Sequence, residues 1–599
     1  MNLSWQRNRI DRRGSLIAGR TAKMASPYIG ATLCVALATV FDSLIAGNSI
    51  GSDALAAIAA AAPFIMITQI MHCIFGYGID KLMIKSIGKG NRKEANRIFG
   101  AVIITVLVVL YIVFILVLLV ERPILEIFID DSNLIEMVVQ YTTPILLTGP
   151  VFEMFLCMER AFRIDGRSKL FAARGIVTNI LNILLDILLV SILKFDILGL
   201  AAATVISTLI GYTISLSHFF SKKRTVFVDI SVILAPKEMF AYIKEDIRIG
   251  SSATLDEVLE DVLLSVQTGA ISAIGGADGL AIWSVFKTVR DIAMSLSNGV
   301  SASVSVYSGL SFAQKDYNGV RYSVKFGTIE VLAISLVVDI IVFFLADYIA
   351  FAFNAPSSLI ALCALCLRIG CIVYPAISFV NLIVDYLPAV NKIRLSNRII
   401  IIQKLIAIAT VIIGAFMALS GIIIGYAIAT AIAAIITTVL IVRDKYWFVP
   451  KDDPRKILEY SISLTTDQIV NMKSDVERKL LDYSYSMDLS SKASLVMEET
   501  MGYILQYNLD KKTSSDIMMK QREDGVYIMI IDDGVAYNPL SSLVNADISE
   551  AGSFEAKIIM GLTSEVTYDR VLELNHLSFC VSPSLGNRRE HKQLVTANE

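Results

Sequence analysis

Charge is scarce in this chain. Lys, Arg, Asp and Glu make up 18% of the 599 residues, against about a quarter in an ordinary soluble domain. With 55% apolar residues and a mean hydropathy of +0.64, this excludes a disordered chain and argues against a wholly soluble one. Cysteine and histidine are also few, seven and four. Cys34, Cys73, Cys157, Cys363, Cys366 and Cys371 stand in apolar runs, which argues against a disulfide framework. Cys363 and Cys366 form a CxxC inside an apparent span, where buried thiols fit better than a metal or redox site. His72, His218, His576 and His591 show no ligand spacing, so no metal cage is expected.

The average hides a break. Residues 451–599 hold 16 Lys+Arg against 24 Asp+Glu, a net of −8, which leaves 37 against 31, a net of +6, for residues 1–450. The first part has the composition of a membrane protein and the second that of a soluble domain.

A bilayer core about 30 Å thick needs roughly 20 apolar residues per helix. Twelve runs qualify: 24–46, 54–76, 98–120, 137–160, 173–193 and 198–220, then 250–272, 279–303, 324–346, 361–384, 398–419 and 421–442. Basic residues orient them. They gather in a leader (residues 1–23, with Arg7, Arg9, Arg12, Arg13, Arg20 and Lys23), after span two (Lys85, Lys89, Arg92, Lys93, Arg97) and after span four (Arg163, Arg167, Lys169, Arg174). More follow in the middle linker 221–249 (Lys222, Lys223, Arg224, Lys237, Lys244) and in later loops on the same side (Lys315, Arg321, Lys392, Arg394, Arg398). Both termini are expected in the cytoplasm. The leader and first span resemble a signal anchor, with no secretory-type cleavage site.

The spans repeat. Ala31–Leu33 (ATL) recurs at Ala253–Leu255, and Gly199 before AAAT recurs as Gly421 before GYAIAT, each at an offset of 222. Six spans per half put both halves in the same direction, an N-lobe 24–220 and a C-lobe 250–442 with a cavity between them. Chance similarity of apolar segments is the alternative.

Charged groups within spans are functional candidates by default. Asp42 lies late in span one, Asn179, Asn182 and Asp186 in span five, and Thr204 in span six. Spacings of three, four and seven place the span-five trio on one helix face. A carboxylate with nearby amide and hydroxyl oxygens can bind Na⁺ or exchange a proton; the alternative is that these groups hydrogen-bond helices together. In span seven, Asp256, Glu257, Glu260 and Asp261 fall within roughly 140° of arc. They are expected to line water or bind cations, or else to be interfacial if the helix starts later.

Together these features resemble the MATE family (multidrug and toxic compound extrusion) over about residues 15–445. The resemblance is carried by VFDSLIAGNSIGSDALAAIAAAAPF at Val40–Phe64, SIGKGNRKEANRIFG at Ser86–Gly100, RAFRIDGRSK at Arg160–Lys169, and NILNILLDILLV at Asn179–Val190 with Gly199 beyond. It implies twelve helices in two lobes and antiport of cationic organic compounds against Na⁺ or H⁺. It also implies an N-lobe coupling site at Asp42, Asn182, Asp186 and Thr204, with Tyr141 beside them, and helix bending at Pro27. The acidic span seven departs from the family pattern.

The tail reads as α/β: a strand at Leu458–Leu464, helices at Asp467–Asp482 and about Ser491–Gln506, and strands near Asp516–Gln521, Gly525–Ile531, Glu565–Val571 and Leu574–Val581. LVMEETMGYILQYN at Leu495–Asn508, IMIIDDGVAYNPL at Ile528–Leu540 and the closing GLTSEVTYDRVLELNHLSF resemble the histidine-kinase-like ATPases, nearest to bacterial anti-sigma-factor kinases. The resemblance implies that Glu499 activates the attacking group and that Asp532 accepts the adenine amino group. Gly534 would permit close backbone approach. Tyr503 stands where the family's Mg²⁺-binding Asn belongs, and Glu555 where a lid Gly does, so ATP and Mg²⁺ are doubtful ligands. Taken alone, DDG is an ordinary turn.

The expected fold class is therefore an all-α polytopic membrane bundle of 12 transmembrane helices in two six-helix lobes, plus a C-terminal α/β sandwich of histidine-kinase-like ATPase type. A linker covers 443–457, the sandwich 458–585 and a tail 586–599. The expected function is secondary antiport, not enzymatic catalysis, in a bacterial inner membrane. It would export small cationic organic substrates against Na⁺ or H⁺, with a degenerate cytoplasmic domain that is regulatory or binds a protein partner, or binds nucleotide without turnover. Two alternatives stand: a membrane-anchored signalling protein with a kinase-like or anti-sigma switch, and a lipid-linked precursor flippase, which would want basic residues for pyrophosphate. The acidic soluble part offers nothing to nucleic acid.

Overall fold

The apolar runs fold as helices. The computed structural model describes residues 14–582 apart from 51, 130, 166, 221–225, 353–358, 418, 445–446, 452–455, 484, 510–511, 523–524, 538–558 and 560. Arg7, Arg9, Arg12, Arg13, Lys222, Lys223, Arg224, Glu555, His591 and the tail 586–599 lie outside the described residues. The helices are α1 (Ser15–Ser49), α2 (Ser52–Ile87), α3 (Arg92–Phe128), α4 (Ser132–Ile164), α5 (Ser168–Asp186), α6 (Asp196–Phe219), α7 (Pro236–Ala313), α8 (Tyr317–Ala352), α9 (Ile360–Ala389), α10 (Ile393–Ala415) and α11 (Leu419–Asp444).

Among the described residues, nine helical stretches are long and apolar enough to cross a membrane. The nine do not include α1, α4 or the part of α7 after Gly276. The last two are more polar: α4 carries Glu136, Glu153, Glu159 and Arg160, and serines recur in α7 from Ser295 to Ser311.

The predicted spans 250–272 and 279–303 are two arms of α7, broken at Gly276 (φ 55°, ψ −142°), a backbone conformation suited to glycine. The first arm starts well before residue 250, at Pro236, a residue favoured at the first helical position. The predicted linker 221–249 is correspondingly short. It holds a 3₁₀ turn at Ile230–Leu234, capped by Asp229 accepting from the Ser231 amide at 3.0 Å.

The tail forms β1 (Ile457–Ser463), α12 (Thr466–Asp482), α13 (Met487–Gln506), β2 (Ser514–Arg522), β3 (Gly525–Asp532), β4 (Thr563–Val571) and β5 (Leu574–Val581). The strands make one antiparallel sheet in the order β1-β2-β3-β5-β4. Ile469, Met472, Val476 and Leu480 form the buried stripe of α12 at helical spacing. Helix α13 begins at Met487, earlier than expected, because Ser486 caps it by accepting from the Leu489 amide at 3.2 Å.

Strands β2 and β3 are apolar on both faces. In β3, Val526, Ile528 and Ile530 pack in the same core as α12 and α13 residues, while Met529 and Ile531 join the core of the helix bundle. A strand covered on both sides loses the usual apolar–polar alternation.

Candidate functional site

The end of α5 builds the first site. Asp186 is its last residue, followed by a π-helical stretch Ile187–Ile192, a rare geometry that recurs at functional positions. Asp186 is fully buried, and its carboxyl group lies within hydrogen-bonding reach of that of half-buried Asp42 on α1. A bond between them needs a proton on one of the two groups. The Asn182 amide donates to Asp186 Oδ2 at 3.3 Å. One oxygen of each acid, Oδ1 of Asp42 and Oδ1 of Asp186, is buried without a partner. Tyr141 lies within electrostatic reach of both.

Two other predicted members donate within their own helices. The Asn179 amide donates to the Gly175 carbonyl at 2.7 Å, and the Thr204 hydroxyl to the Leu200 carbonyl at 3.1 Å, each within its own helix. Pro27 sits inside the unbroken α1.

The acidic face of span seven needs correction. Asp256 and Glu260 do not line a purely acidic cavity. Lys404 of α10 reaches Asp256 at 3.0 Å and Glu260 at 2.6 Å, and Arg290 of the second arm of α7 reaches Glu260 at 3.1 Å. Arg290 also holds Asp291 at 3.1 Å, which Lys287 pairs with at 2.8 Å, and donates to the Tyr426 hydroxyl at 3.4 Å. Lys404 and Arg290 are nearly fully buried. Glu257 and Asp261 are left as the acids outside this network, with Asp261 Oδ2 buried and unpartnered. Both cations were findable. They lie inside predicted spans, and the rule that singles out Asp42 applies equally to bases.

In the tail, Asp532 is fully buried and already occupied. Its Oδ1 accepts from the Gly534 amide at 2.9 Å and the Asn575 amide at 2.7 Å, and its Oδ2 from the Tyr537 hydroxyl at 3.0 Å. Tyr537 packs against Tyr503, Tyr507 and Tyr568, with ring centroids 5.9, 6.3 and 5.3 Å away. A Cβ at Gly534 would lie 2.6 Å from Asn508 Nδ2 and 2.8 Å from Asp532 Oδ1. Glu499 is half-buried on α13, and Tyr503, fully buried, bonds the Tyr507 hydroxyl at 3.3 Å. The carboxylate that would read adenine is thus held by the domain's own side chains.

Burial pushes the Asp532 carboxyl up to about 6, against the opposing pull of Asn575, Gly534 and Tyr537. A carboxyl raised in the folded state stabilises the fold below its unfolded value near 4 and loses that contribution as pH rises through about 6. Relative to Asp532→Asn, the natural domain should therefore gain about 1 kcal/mol from pH 7 to pH 5. Pulse proteolysis of the full chain in denaturant, read on tail fragments, measures this. An unchanged difference between the two proteins would contradict it.

Among the described residues, no group of three or more His, Cys, Asp or Glu side chains could hold a metal ion. Cys363 and Cys366 are buried free thiols.

The MatE family model matches residues 27–188 and 254–413, more than half of the chain and one stretch in each predicted lobe. Solved structures share the fold. A Vibrio cholerae MATE transporter, VcmN, aligns with TM-score 0.67 and 18% identity, over 73% of this chain and 99% of its own. An outward-facing multidrug resistance MATE transporter of the MOP superfamily aligns with TM-score 0.67 and 16% identity, over 72% and 96%. A MOP superfamily transporter from Pyrococcus furiosus aligns with TM-score 0.66 and 16% identity, over 72% and 97%. The search of curated proteins gives no match. On the family match, the chain belongs to the MatE family, whose members are membrane transporters rather than enzymes.

Proposed function

We propose that this transporter is a secondary antiporter that exports small cationic organic compounds in exchange for Na⁺ or H⁺. The observation that carries the reading is the Asp42–Asp186 carboxyl pair with Asn182 beside it. Two carboxylates in one buried site repel when both are ionised, so the site holds a proton or a cation and changes charge when it lets go. Tyr141 and Thr204 complete the site in this reading, and Asn179 braces α5. Twelve spans form two lobes, with both termini in the cytoplasm of a bacterial inner membrane. The C-terminal domain is a degenerate histidine-kinase-like module that regulates transport or recruits a partner without turning over ATP.

A flippase for anionic lipid-linked cargo is less well supported, because Lys404 and Arg290 are already engaged by carboxylates. The test uses the full chain in proteoliposomes loaded with a panel of organic cations, under an imposed Na⁺ or H⁺ gradient. Efflux should follow one of the two gradients. No gradient-driven flux for either ion would overturn the reading.

A further inference from the structure

The C-terminal sheet docks on both halves of the bundle. On the first half, Asp569 forms an ion pair with Arg92, Glu573 pairs with Arg20 at 3.3 Å, and the Leu572 amide donates to the Ile164 carbonyl at 3.0 Å. On the second half, Asn318 donates to Glu459 at 2.7 Å, Gln314 bonds His576 at 3.3 Å, and the Lys520 ammonium lies 5.1 Å from the Tyr317 ring centroid. Met518, Met529, Ile531, Leu572 and Leu574 are buried in one apolar cluster with Ile87, Ile164 and Leu310 of the helices.

The two contacted turns are equivalent. Gly90 after α2 and Lys315 after α7 both adopt positive φ, 76° and 60°. Each precedes a residue that starts the next helix: Asn91 accepts from the Glu94 amide at 3.1 Å, and Asp316 accepts from the Gly319 amide at 2.8 Å. Where these turns meet, the halves touch. A Cβ at Gly88 would lie 2.6 Å from the Ala313 Cβ and 3.2 Å from the Leu310 carbonyl. The bundle is therefore shut on the face that carries the domain, at the place where the domain bridges it.

We propose that the C-terminal domain is a conformational clasp. Docked on the same turn of each half, it holds the bundle closed on its own face. That face opens when the domain leaves one half. The proposal rests on the two-lobe reading of the bundle but on neither the coupling ion nor the cargo, so a distance measurement tests it separately from transport.

Spin labels at Lys93→Cys on α3 and Lys325→Cys on α8, both exposed positions, report the separation of the halves in the full chain in lipid nanodiscs. Cys34 and Cys371, the two half-buried thiols, are replaced by Ser. The parent protein should give one short distance. Asp569→Arg, alone or with Leu572→Glu, should add a longer population, because Arg92 is then repelled and the apolar seam carries a charge. Adding Arg92→Asp to Asp569→Arg should restore the short distance. An unchanged distribution in the Asp569→Arg, Leu572→Glu protein overturns the clasp. So does a longer population that the charge swap fails to reverse, since the change then reflects damage to the fold and not release of the contact.

Discussion

Asp186→Asn should reduce gradient-driven flux by about 100-fold, the range that roughly 3 kcal/mol of coupling free energy sets. Asn has nearly the same shape as Asp and keeps an oxygen for the Asn182 amide, but it takes up no proton and carries no charge to attract Na⁺. The defect should lie in coupling and not in folding, so exchange of labelled for unlabelled substrate without an ion gradient should continue. Asp42→Asn should behave alike, and the double variant should be little worse than either single one, because the two groups act as a unit. Both fluxes are measured on the same proteoliposomes. Gradient-driven flux at the parental rate in Asp186→Asn would rule out the proposed site.

Lys404→Met should strongly destabilise the second half of the bundle. The ammonium lies between Asp256 and Glu260, and its loss leaves Asp256 without that partner while Glu260 keeps Arg290. Removing one member of a buried ion pair costs about 3–5 kcal/mol, much of it the penalty of the abandoned charge. Replacing that acid as well, with Asp256→Asn, removes that penalty and should recover most of the loss. Thermal unfolding of the detergent-purified proteins checks both halves of the statement. A Lys404→Met protein that melts with the parent would show that the cluster carries no net stability. A double variant no better than the single one would locate the damage in packing.

These two sites were unequally legible. Asp42 and Asp186 stand out one at a time, because each is an acid within a span predicted from its apolar run. Their meeting needs α1 packed on α5, and that came from the family resemblance. The π-helical turn after Asp186 left no residue pattern, since it is a shift in the hydrogen-bond ladder that packing imposes. Asp256 and Glu260 were visible as acids on one face. Their partners lie on α10 and beyond the break in α7, and no local periodicity links residues 256 and 404. In the tail, strand bounds were legible within a few residues because turns and alternation are local. The unbroken apolar run of β3 shows that both faces are covered. Only the fold shows that the second cover is the membrane bundle. Asp532 was identified by position, but its three donors, drawn from β5 and the turn after β3, were not.

The strand of chain that joins bundle to domain is itself pinned. The Trp447 carbonyl accepts from the Tyr386 hydroxyl, and the Pro450 carbonyl accepts from Arg321 on α8 at 2.6 Å. From there only residues 451–456 precede β1, and six residues reach at most about 20 Å. A domain that lets go of Arg92, Arg20 and Ile164 therefore stays leashed to the second half. Its return to the first half is intramolecular, at an effective concentration on the order of millimolar. A soluble ligand that keeps the clasp open must outcompete that local concentration, so a weak, freely diffusing binder would have little effect.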